Sequence, residues 1–177
     1  MKKVLFIFIF CLYFLPLPAK TILNIEEGTT KTEAIRKLNK IYGYSNVTDK
    51  GSSIEIINPS FSGFSFNLCE MFFDPINDDI RFNGALFQKW FDISDINQAK
   101  GMRDKLLTSL KDKYGNQVCV EFKNDQGFTC CEFGNFEESD STGVLELQRL
   151  KGNDGKERLY IFLNYLSFDR SHLTDEL

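Results

Sequence analysis

Residues 94–116 read SDINQAKGMRDKLLTSLKDKYGN, and this stretch decides the fold class. Ile96, Ala99, Met102, Leu106, Leu110 and Tyr114 recur at steps of three and four, which lays one apolar stripe along a helix. Ser94 or Asp95 is placed to cap its start. Lys111 and Lys113 suit the negative end of the helix dipole, and Gly115 stands where a left-handed cap stops a helix. The polar side carries Gln98, Arg103, Lys105 and Asp112, a mixture of signs that reads as solvated scaffold. Most of the surrounding chain patterns as strand, so a sheet folded against this spine is expected.

Upstream, Thr30 and Glu33 form a capping box ahead of Ala34, Ile35, Leu38, Ile41 and Tyr42, and Gly43 ends this shorter helix. Residues 21–25 read as a short opening strand. Between the helices, Ile54 and Ile56 share a face before Pro59. Phe64, Phe66 and Leu68 then give way to Cys69, Met71 and Phe73 on the other parity, which predicts a bulge near Glu70 or a strand buried on both faces. Residues 80–92 form a third strand with a second bulge at Gly84. Beyond the long helix, strands are predicted at 118–122, 128–133, 143–150 and 158–168. The last is apolar on both parities, Leu159, Ile161, Leu163 and Tyr165 against Tyr160, Phe162, Leu166 and Phe168, as a central strand covered on both faces would be. Adjacent strands without intervening helices define an α+β domain: a mainly antiparallel sheet of about seven strands with two helices packed on it. Both helices close on Tyr-Gly, at Tyr42 and Tyr114, either because that pair is simply a good helix stop or because the chain holds two helix-then-strands units.

Residues 1–19 carry Lys2 and Lys3, an apolar run over 4–17 and Ala19 at a cleavage position, the pattern of a secretory signal peptide. The run is shorter than the ~20 residues a membrane span needs. Residues 20–177 then form one domain, with no membrane span after signal removal, exported to the periplasm or beyond the cell. Without Lys2 and Lys3, 19 basic residues face 25 acidic ones, a net charge of −6. No basic cluster remains to track a phosphate backbone, so nucleic acid is not an expected partner.

The single histidine, His172, lies in a polar tail, which argues against a histidine-centred triad. No zinc-ligand spacing, phosphate-binding glycine loop or nucleophile elbow is present, and neither metal nor cofactor is expected. Acidic turns at Asp74, Asp78 and Asp79 and at Glu137, Glu138 and Asp140 leave a carboxylate-based hydrolase as an alternative. Four cysteines follow the leader. If Phe122 faces Phe128 across a hairpin, Cys119 falls opposite Cys131, while Cys130 points away, toward Cys69; these four are the disulfide candidates. Phe87, Trp90 and Phe91 crowd one strand end with more apolar surface than a single buried face uses, and are the candidate binding residues.

Phe61-Ser-Gly63, Lys113-Tyr114-Gly115, the closing strand from Tyr160 to Phe168 and the tail Asp175-Glu176-Leu177 together resemble small secreted proteins of gut Bacteroidetes. The chain departs from that pattern at Asn116, where a proline often stands. The resemblance implies export and carries no activity. Helix-then-strands twice over is similar in architecture to the β-lactamase-inhibitor-protein fold, and fold does not fix function. The resulting expectation is an exported, non-enzymatic module that binds another envelope or extracellular protein, or another ligand. The alternatives are the hydrolase and a structural envelope component.

Overall fold

The computed structural model describes residues 21–76, 79–114, 119–134, 142–152 and 154–166. A small hairpin, β1 (Thr21–Ile22) and β2 (Ile25–Glu26), leads into α1 (Lys31–Tyr42). There follow β3 (Val47–Asp49), β4 (Ser53–Ile57), a second small hairpin of β5 (Ser60–Phe61) and β6 (Phe64–Ser65), then β7 (Leu68–Ile76) and β8 (Asp79–Asp92). A 3-10 turn (Ile93–Asp95) enters α2 (Ile96–Tyr114), followed by β9 (Cys119–Lys123), β10 (Thr129–Phe133), β11 (Thr142–Lys151) and β12 (Glu157–Leu166).

Eight of these strands form one antiparallel sheet in the order β3-β4-β7-β8-β12-β11-β10-β9. The order resolves into two halves, each a helix followed by a four-stranded meander, joined where the last strand of each half pairs with the other. At that seam Phe87 faces Leu163 and Trp90 faces Tyr160. The helix-then-strands repetition read from the two Tyr-Gly stops therefore has a counterpart in the sheet.

Local chemistry explains the helix ends. The Thr30 hydroxyl accepts from the Glu33 amide at 3.4 Å, and Gly43, at φ +82°, donates to the Asn39 carbonyl at 3.0 Å. Neither Ser94 nor Asp95 caps α2 as expected. Both belong to the 3-10 turn, whose own cap residue, Asp92, makes no side-chain bond.

Strand alternation sends Ile54, Ile56, Cys69, Met71, Phe87, Leu145, Leu147, Leu159, Ile161 and Leu163 to one face, all at most 1% exposed. Ala34 and Leu38 of α1 and Ala99, Leu106, Leu107 and Leu110 of α2 close over them. Fully enclosing each large side chain contributes about 1.5–3 kcal/mol, so this one layer supplies most of the fold's driving force.

Four expectations are corrected. Residues 21–25 form a tight hairpin rather than one strand, because Leu23 and Asn24 both adopt positive φ. The parity slip after Phe66 is a change of sheet, since β6 pairs with β5 and β7 starts afresh at Leu68. The bulge lies on β8 instead, where the pairs Phe72↔Gly84 and Phe73↔Phe82 leave Asn83 over, one residue from the expected Gly84. Finally, β12 is covered by helices on one face only among the described residues, although its second apolar parity was expected to be buried.

Candidate functional site

The uncovered face is built from the alternate residues of the same strands. On it Leu86, Val144, Leu150 and Phe162, with Glu146, Gln148 and Asn164, line a shallow depression of about 320 Å³. Beside it the Trp90 and Tyr160 rings stand 6.3 Å apart, and Tyr160 stacks on Phe162 at 5.7 Å. Leu68 and Phe72 extend the apolar surface along β7, half-buried, and Val120, 52% exposed, marks its far edge.

Charge on this face is one-sided. Strand parity places Glu55, Glu70, Glu132 and Glu146 there. Glu70 accepts from the Ser53 hydroxyl at 2.6 Å and Glu146 from the Gln148 amide at 2.6 Å, so both are held in place. The cations at its margins are already engaged: Lys50 pairs with Glu55 at 3.6 Å, and Arg158 grips both oxygens of Asp154. The result is an apolar, acidic surface.

A second concavity lies on the helix-covered side, where the β5–β6 hairpin, the end of β8 and α2 leave an open groove of about 650 Å³. Phe87 points inward on β8 and is fully buried; two and four residues on, Lys89 and Phe91 point the same way but reach past the helical cover, and both are half-buried. The Lys89 ammonium sits 5.9 Å from the Phe91 ring centroid. Phe64 faces them from β6, and α2 supplies Gln98, Gly101, Met102 and Lys105.

The three aromatic candidates thus part company. Phe87 is core, stacked on Phe61 at 4.6 Å and against Phe66 at 5.1 Å. Trp90, 37% exposed, belongs to the open sheet face, and Phe91 belongs to the groove. The contributions of Lys89, Gly101 and Lys105 went unread in the sequence, where Lys105 passed for scaffold. A glycine inside a helical pattern was the available signal.

All four cysteines of the described residues are free. The β9–β10 register is offset by two residues from the expected one: Cys119 faces Phe133, Cys131 faces Glu121 and Cys130 faces Phe122. Cys119 and Cys131 are therefore diagonal neighbours on one face, and the Cys131 thiol donates to the Glu132 carbonyl at 3.2 Å. Burial first, then the adjacent Cys119 thiol, pushes the Cys131 thiol up to about 12. Burial also raises Cys130, and raises Cys69 further, where Glu70 adds to it. None of these three has the lowered pKa of a reactive thiolate.

Among the described residues no three His, Cys, Asp or Glu side chains converge as metal ligands, and no helix is long and apolar enough to cross a membrane. The Asp74 carboxylate takes a hydrogen bond from the Asn83 amide. The leader, Asp78, Gly115, the acidic loop with Glu137, Glu138 and Asp140, His172 and the terminal tail lie outside the described residues. No protein-family model, curated protein or solved structure matches the chain.

Proposed function

We propose that this chain is an exported, non-enzymatic binding module whose uncovered sheet face docks a partner protein presenting a basic, apolar segment. The observation that supports it most is the face itself, where aromatic and aliphatic side chains lie between carboxylates and the marginal cations are already paired. Contiguous apolar surface rimmed by polar groups marks interaction sites, and carboxylates select a basic partner. The same carboxylates oppose face-to-face pairing of two copies. The leader-like residues 1–19 and the resemblance to secreted proteins support export.

Titration with a cationic amphipathic peptide, followed by the fluorescence of the sole tryptophan, Trp90, tests the docking. A saturable shift is expected with the basic peptide and none with its acidic counterpart, and Glu146→Lys or Phe162→Ser should weaken the response. Equal responses to both peptides, or concentration-dependent dimerisation in sedimentation, would overturn the reading. Export is checked by mass spectrometry of the secreted product, which should begin at Lys20.

A further inference from the structure

We propose that the groove between the β5–β6 hairpin, the end of β8 and α2 is a binding site for a small carboxylate carried on an apolar body. This site is separate from the sheet face, on the opposite side of β8. It is an open groove of about 650 Å³.

Charge selects the anion. Lys89 and Lys105 both line the groove, and neither forms an ion pair with a described carboxylate. Asp104 is paired with Arg103 at 2.8 Å, and Asp95, in the 3-10 turn, accepts from the groove-lining Gln98 at 3.5 Å. Two ammonium groups outnumber the one carboxylate beside the groove, so a cation is repelled and an anion attracted. Lys89 is half-buried over the Phe91 ring, so its bond to a carboxylate would form partly out of water, where charge-assisted bonds are strongest.

The apolar body follows from the walls. Phe64, Phe91 and Met102 are half-buried with their remaining surface on the groove, and a hydrocarbon or aromatic ligand would cover it. A phosphate would leave that surface wet, and no arginine lines the groove to grip its oxygens.

Gly101 gives an independent indication. A glycine in the interior of a helix costs about 0.5–1 kcal/mol against alanine. Packing does not require it here, because a Cβ built on Gly101 would meet nothing within 4 Å. Its effect is to hold the α2 wall of the groove flat where a side chain would intrude.

The test is an NMR titration of the full chain with sodium decanoate, with decyltrimethylammonium as the same tail under the opposite charge. Decanoate should shift the amides of residues 64, 91 and 101, weaken as salt is raised, and bind at least about tenfold more tightly than the cation. Lys89→Gln and Lys105→Gln should each weaken decanoate about tenfold, the worth of one charge-assisted bond. Gly101→Leu, which favours the helix and fills open space, should melt no lower than wild type and lose the site. The proposal is overturned if decanoate does not bind, if both surfactants bind alike, or if the lysine variants keep wild-type affinity. Shifts confined to Tyr160, Phe162 and Trp90 would overturn it too, by placing the ligand on the other face.

Discussion

The ring of Phe133 lies across Gly143, its cross-strand partner, and occupies the space that a side chain at 143 would need. The Asn164 carbonyl on β12 closes the same space from the other side. Gly143→Ala should therefore overpack the junction of β10, β11 and β12 and cost about 2–3 kcal/mol. A lower urea midpoint at unchanged slope would show it, and an unchanged midpoint would refute it.

Gly101 should behave in the opposite way. Its missing side chain faces open space, so Gly101→Ala should raise stability by about 0.5–1 kcal/mol through helix propensity alone. The two variants, unfolded side by side in urea, should move in opposite directions.

Phe87→Ala should cost about 3–5 kcal/mol, because that ring is fully buried among Phe61, Phe66 and its strand neighbours. Against a total stability of about 5–15 kcal/mol this threatens the fold outright. Trp90→Ala and Phe91→Ala should each cost less than half as much. Similar losses at all three positions would mean that the open face and the groove are core.

Acid should act on Asp154, whose carboxyl is held down at about 2, first by the Arg158 guanidinium and then by the Lys156 amide. Because its folded pKa is depressed, its contribution is complete above the ordinary aspartate value of about 3.9 and is lost as pH falls toward 2. Full exposure and salt keep the effect small. Melting curves of wild type and Asp154→Asn should differ at neutral pH and converge near pH 2; a constant gap would contradict this.

Alkali should act on Cys131 with the opposite sign. Its folded pKa is raised to about 12, so the neutral thiol's contribution is complete below about pH 8.5 and is lost as pH climbs through 12. Cys131→Ala should flatten the fall in melting temperature between those limits, with a residual slope from the buried Cys69 thiol. Native protein at pH 8 should react with a thiol reagent far faster once unfolded.

What the sequence revealed follows the range of the interactions concerned. The capping of α1 by Thr30 and its stop at Gly43 depend on neighbours three or four residues away, and both were legible. So were β4, β8 and the strands after α2, since alternation is local. The hairpin register of β9 and β10 was not. The loop is drawn in by Asn124 and Gln126, whose amides reach the Leu147 and Arg149 carbonyls across the sheet at 2.9 Å, and no short-range pattern announces that. The single-sided cover of β12 was misread for a related reason: Tyr160 and Phe162 are apolar enough for a core, and only the three-dimensional placement of both helices on the far side leaves them open. The groove residues converge from β6, β8 and α2, so no contiguous motif holds them.

β12 is the last of the described strands, yet it lies in the middle of the sheet, between β8 and β11. A polypeptide emerging from a ribosome therefore reaches residue 166 before either meander has its inner neighbour. Until then each half has an open edge, and a fragment ending before Glu157 has nothing to join them. Pairings such as Asp92 with Arg158 link distant parts of the chain and close slowly. That delay leaves the two halves unjoined until Glu157–Leu166 is made: the clasp is carried by the latest of the described strands.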